Sequence, residues 1–228
     1  MTIDLGSQHR EQRDQLRYAS TAKRLRASRD GALVCDTADA LVVWLPRHDV
    51  PQYAVPRGTL GDRLPDGTVV LEGDGVEGHV LLPFGDFDWL EEDEPVLGHP
   101  HDPFARIDIL HSTREVRVEL DGVELAHSRR PVALFETGLP TRWYLPAHDV
   151  RTELLTPSDT RTTCAYKGHA SYLSAQGENG RDVAWCYRSP LREAEPVRDL
   201  ICFWAERTVT TVDGVREHGF TGPRPVDA

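Results

Sequence analysis

The chain returns to one pattern after about 90 residues, and that period constrains its fold more than any other feature. Asp30-Gly31-Ala32-Leu33-Val34-Cys35-Asp36-Thr37 runs on through Leu41-Val42-Val43-Trp44. Asp121-Gly122-Val123-Glu124-Leu125-Ala126-His127-Ser128 runs on through Val132-Ala133-Leu134-Phe135. Each run then meets a proline, an aromatic and a second proline: Pro51, Tyr53, Pro56 and Pro140, Trp143 with Tyr144, Pro146. The Asp-Gly pair returns at Asp213-Gly214, after Thr208-Val209-Thr210-Thr211-Val212. A period this long describes a duplicated domain rather than a solenoid unit. Asp-Gly between alternating apolar runs is the strongest short hairpin signal. Val116, Val118 and Leu120 alternate with Arg117 and Glu119 in just this way.

The two runs differ between Cys164 and Tyr187, a dense polar-aromatic stretch with no counterpart in the first. Chemistry is therefore expected in the second copy. With 228 residues, the chain is long enough for two ordinary domains. A net charge of -11, from 37 acidic and 26 basic side chains, argues against holding a phosphate backbone, so no nucleic acid partner is expected. No apolar run reaches bilayer-spanning length and the polar first 29 residues have no signal-peptide core, so no membrane partner is expected. Cys35, Cys164, Cys186 and Cys202 are widely spaced, which predicts free thiols and a reducing, cytoplasmic setting.

The pattern predicts an all-β chain of two repeated small antiparallel β-domains with few short helices. Residues 1–22 form an N-terminal tail or frayed helix, with a helix over 7–18 as one option. Residues 23–114 and 115–218 form the degenerate and the complete domain, and 219–228 form a loose C-terminal tail. One short helix is expected after Pro146, ended by Pro157-Ser158-Asp159. Gly177 to Asp182 reads as a loop between strands. Gly58 to Gly78 reads as a long hairpin or loop, and Phe84 to Glu94 as the crossover between copies.

Glu136-Thr137-Gly138, Tyr144-Leu145-Pro146, Cys164-Ala165-Tyr166-Lys167-Gly168-His169-Ala170-Ser171-Tyr172, Ala184-Trp185-Cys186-Tyr187 and the Cys202 to Glu206 run occur in a set order. In these motifs the chain resembles the DUF427 family of bacterial and fungal proteins across residues 116 to 214, and through the degenerate copy to about Gly31. One position departs from the family: Cys164-Ala165 stands where Cys-Pro is usual. The resemblance implies a small, mostly antiparallel fold similar to the β-tent domains, and it implies no activity. There is no Gly-rich phosphate loop and no paired-Asp metal motif, so nucleotidyl transfer finds no support.

Lys167, Glu136 and Cys164 are the candidate catalytic residues. A lysine among aromatics can have a lowered pKa and act as base or nucleophile, or its stem can simply pack on Tyr166. Cys164, near Lys167 and His169, is either a cation-favoured thiolate or a small buried hydrophobe. Glu136 is either a general base or the partner of Arg142 at a strand end. Tyr144, Arg142, Tyr166, Gly168, Tyr172, Trp185 and Tyr187 are the candidate ligand-binding residues. Neighbouring strands and a turn after Lys167 are expected to bring Glu136, Tyr144, Lys167, Tyr172 and Trp185 into one concavity. Cys186 and Cys202 read as core. His99-Pro100-His101-Asp102 reads as surface loop because Pro100 breaks the strand, and no metal site or other cofactor is expected.

The expected function is binding of a small polar or aromatic molecule in the second domain, with metal-independent acid/base chemistry as an extension. The alternative is a non-catalytic interaction module, which a basic patch at Arg129 and Arg130 would favour. Ligand identity, catalysis and oligomeric state are not legible in the sequence.

Overall fold

Three Asp-Gly pairs close hairpins. Asp30 (φ 52°) and Gly31 (φ 77°) join β2 (Leu25–Arg29) to β3 (Ala32–Thr37). Asp121 (φ 50°) and Gly122 (φ 79°) join β11 (Val116–Leu120) to β12 (Val123–Ser128). Asp213 (φ 51°) and Gly214 (φ 79°) join β19 (Val209–Val212) to β20 (Val215–Arg216). Two successive positive φ angles are the type I′ geometry, whose twist matches that of the strands. The structure, a computed structural model, describes residues 12–62 and 64–217. All pairings between these strands are antiparallel, one isolated parallel bridge joins Tyr187 to Arg198, and the only helical pieces among the described residues are short 3-10 turns.

The chain divides into two units between Asp102 and Pro103. The first unit also contains β1 (Arg17–Thr21), β4 (Ala40–Trp44), β5 (Gln52–Pro56), β6 (Val69–Val70), β7 (His79–Leu81), β8 (Asp88–Glu91) and β9 (Glu94–Pro95). One sheet has the order β1-β4-β5-β7-β6 and the other β3-β2-β8-β9. Leu25, Ala27, Trp44, Tyr53, Val55, Val80 and Trp89 fill the space between them.

The second unit adds β10 (Ile107–His111), β13 (Val132–Glu136), β14 (Arg142–Leu145), β15 (Leu155–Cys164), β16 (Gly168–Ala175), β17 (Ala184–Tyr187) and β18 (Ile201–Phe203). Its large sheet runs β10-β13-β14-β18-β17-β16-β15 and its small one β12-β11-β19-β20. Period-2 alternation divides the large sheet's side chains between two cores. Ala133, Trp143, Leu145, Ala184, Ile201 and Phe203 meet Val116, Val118, Leu125 and Val212 of the small sheet. Val132, Leu134, Tyr144, Ala170, Trp185, Tyr187 and Cys202 point the other way, under Ala194 and Val197 of the 3-10 segment Arg192–Val197. The exposed edge strand β15 is bulged, and Arg161 donates to the carbonyls of Ser158 and Thr160, which blunts that edge.

Several sequence expectations give way to this arrangement. The described part of the proposed 7–18 helix is a turn followed by β1, which pairs with β4; cross-strand pairing overrides a weakly amphipathic pattern. Residues 7–11 and the expected tail at 219–228 lie outside the described residues. β10, assigned by sequence to the first domain, pairs with β13 and belongs to the second unit. Phe84 to Glu94 is no crossover: it holds a 3-10 turn, β8 and the start of β9, and β8 pairs with β2. The single helix after Pro146 is two 3-10 turns, Ala147–Asp149 and Thr152–Leu154, and Pro157 to Asp159 lie within β15. Pro157 is accommodated there because its strand is an edge with a bulge.

Candidate functional site

The outer face of the large sheet in the second unit carries the motif residues. Register places Val132 opposite Tyr144, Tyr144 opposite Cys202, Cys202 opposite Trp185 and Trp185 opposite Tyr172, one row across five strands. Alternation adds Glu136 on β13, Arg142 on β14, Tyr187 on β17 and Ala170 on β16 to the same face. Within the row the Trp185 indole N–H donates to the Tyr144 hydroxyl at 3.1 Å, and their rings meet edge-on at 6.3 Å. Tyr172 lies 6.4 Å from Trp185, and its hydroxyl shares a 3.1 Å hydrogen bond with Thr162.

Lys167 closes the face. Ala165 to Lys167 form the turn between β15 and β16, and Gly168 leaves it at φ 91°, a conformation that disfavours side chains. Ala165 and Tyr166 are buried in this turn, and the Lys167 carbonyl accepts from the Leu191 N–H. Lys167 Nζ donates to Glu136 Oε2 at 2.6 Å, with side chains 10% and 18% exposed. The expected route to this contact, through neighbouring strands, is incorrect, because β14, β18 and β17 separate β13 from β16. Four strand spacings across the sheet and nine residues along the strands put the two positions roughly 35 Å apart on a flat sheet. No Lys–Glu pair spans that distance, so the sheet must twist and coil until these diagonally opposite corners approach each other. The ion pair is thus itself evidence of concavity. Nor does Tyr172 fold back over the lysine through a turn; it stays in β16, with Trp185 and Thr162 as its partners.

Arg142 does not pair with Glu136. Both guanidinium nitrogens, Nη1 and Nη2, donate to Glu206 at 2.9 Å, and the group lies 5.7 Å from the Trp185 ring and 5.0 Å from the Trp204 ring. Trp204 packs on Trp185 at 4.6 Å. Sequence reasoning missed Trp204 as a site residue. The available signal was its spacing from Cys202, since two residues along a strand share a face.

Electrostatics follow burial. Burial alone would lower the Lys167 pKa, but Cys164 and Glu136 favour the ammonium and the net shift is upward. The expectation of a lowered lysine pKa is therefore wrong: Cys164 and Glu136 together outweigh the desolvation, and Lys167 stays a cation. Burial pushes the Tyr144 and Tyr187 phenols well up and the Cys202 thiol up to about 12, so all three are neutral donors. Cys164 is half-buried at the end of β15, within hydrogen-bonding range of Lys167. Cys186 is buried in β17.

The other candidates lie elsewhere. His101 is not a plain surface residue: its Nδ1 sits 2.7 Å from Glu91, which also accepts from Tyr53 at 2.6 Å and Lys23 at 2.5 Å. Burial would raise the Glu91 pKa, yet these hydrogen bonds hold it at about 2. No group of three or more His, Cys, Asp or Glu side chains suited to a metal ion occurs among the described residues. Arg129 faces Glu115 at 3.4 Å and Arg130 faces Asp149 at 3.3 Å, so both charges of the proposed basic patch are offset by carboxylates. No described helix is long and apolar enough to cross a membrane.

No curated protein matches this chain. The span that holds the whole concave face does find a relative: residues 108–217 match the model of the family described as domain of unknown function (DUF427), and it is over this second unit that the chain is similar to that family.

Proposed function

We propose that the concave face of the second unit binds a small polar or aromatic molecule, with Lys167 and Glu136 positioned for proton transfer to or from it. The observation that carries this reading is the buried Lys167–Glu136 pair above a row of aromatic and phenolic side chains. Neutral phenols, an ammonium and a carboxylate gathered on one concave face are the donors and acceptors that orient a ligand in a mostly apolar pocket. Tyr172 and Trp204, both partly exposed, form its rim.

The two units are, on this reading, a tandem pair of which only the second keeps the site. Both have a four-strand sheet whose leading Asp-Gly hairpin carries a bulge, between Ala27 and Ser28 in one and Val118 and Glu119 in the other. The strand orders β1-β4-β5-β7 and β10-β13-β14-β18 correspond. By register, Leu41, Ala54 and Leu81 stand where the second unit has Val132, Tyr144 and Cys202. Leu71 and Val76 fill the space above them with aliphatic carbon. The insertion of β15 to β17 is what supplies Lys167, Tyr172, Trp185 and Tyr187.

The test is a metabolite screen read on the indole N–H resonances of Trp185 and Trp204. A true ligand shifts both, and fails to do so in the Lys167→Met/Glu136→Gln variant, which preserves shape without charge. Ligand shifts that gather instead around Arg129 and Arg130, and survive in that variant, would replace this reading with the interaction-module one.

A further inference from the structure

We infer that the ligand of this site is a planar molecule without net charge, neutral or zwitterionic, and not a phosphorylated or otherwise polyanionic one. This rests on the proposed role of the concave face and adds the chemical class that the face selects.

The charges of the site are already balanced. Lys167 and Arg142 are the cations on this face, and Glu136 and Glu206 oppose them at 2.6 Å and 2.9 Å. Arg142 is fixed further: a two-pronged bond to Glu206 and two flanking indoles leave its fork no open direction toward a ligand. It positions Trp204 rather than receiving an anion. A phosphate arriving here has to share the Lys167 ammonium with Glu136, which sets its negative charge against a carboxylate that is only 18% exposed. Like charges brought together at a poorly solvated site repel, and a ligand without net charge escapes that cost.

The backbone offers no alternative anion site. Phosphate is usually held by a glycine-rich turn leading into a helix, or by a free cation cluster. The segment above this face, Arg192–Val197, is a six-residue 3-10 piece, too short to present a helix N-terminus to a phosphate.

What the face does offer suits a flat ring with hydrogen-bonding groups. The Trp185 ring lies 4.6 Å from that of Trp204 and 6.4 Å from that of Tyr172. The Tyr144 hydroxyl accepts from Trp185 and keeps its own proton to donate. Burial holds that proton, and the one on Tyr187, in place. Such donors match a carbonyl, amide or ring-nitrogen acceptor, and a zwitterion can meet the Lys167–Glu136 pair with one charge for each member.

The test uses four probes sharing one ring: benzamide (neutral), phenylalanine (zwitterion), benzylamine (cation) and phenyl phosphate (anion). Each is titrated into the full chain, observing the Trp185 and Trp204 indole resonances, with Trp204→Phe used to assign them. Benzamide or phenylalanine should bind at least about tenfold more tightly than phenyl phosphate, and the difference should persist as salt is raised. Tighter binding of phenyl phosphate, lost in Lys167→Met, would overturn the charge inference and leave the site in place. Tighter binding of benzylamine would overturn it likewise. If none of the four moves either resonance, this inference and the proposed site both fall.

Discussion

Replacing Lys167 by Met, Glu136 by Gln, and both together tests the curled sheet directly. The two side chains are 10% and 18% exposed and meet at 2.6 Å across three intervening strands. Breaking a fully buried pair costs about 3–5 kcal/mol, and an exposed pair is worth about 0–1. This pair lies between those limits, closer to buried, so each single substitution should destabilise the second unit by about 2 kcal/mol. The double variant leaves no charge unpaired and keeps the volume of both side chains, so it should cost about 1 kcal/mol or less. The coupling energy is then about 3–4 kcal/mol in favour of the pair. Urea melts followed through the Trp185 and Trp204 indole resonances report on this unit alone, which matters because two units need not unfold together. Single substitutions that each cost under about 0.5 kcal/mol, with no coupling between them, would show that the flanks of the sheet do not meet.

Two further results follow from burial. Native protein should present Cys164 first to a thiol reagent, since Cys35, Cys186 and Cys202 are buried, and denatured unreduced protein should yield all four free thiols; a count of two would mean a disulfide. The Glu91 carboxyl, held at about 2 against an ordinary 4.5, adds stability that is complete above pH 4.5 and is lost as pH falls toward 2. With solvent screening this amounts to about 2 kcal/mol, and Glu91→Gln should flatten the acid limb of the first unit's pH–stability curve. An unchanged limb would show that the His101, Lys23 and Tyr53 contacts do not hold the carboxylate.

The sequence determined the local geometry by itself. Asp-Gly specifies a two-residue turn because both positions tolerate positive φ, so the three hairpins were readable without any partner strand. Alternation told which residues of a strand share a face: Val116, Val118 and Leu120 are buried while Arg117 and Glu119 between them are not. The tertiary structure alone decided which strands lie side by side and how far the sheet bends. That is why Lys167 meets Glu136 across three strands, why Arg142 pairs with Glu206 instead, and why Trp204 enters the site. It also decided the protonation of Lys167: composition shows the aromatics around a lysine, but only folding brings Cys164 and, at 2.6 Å, Glu136 against its ammonium, and together they outweigh the desolvation.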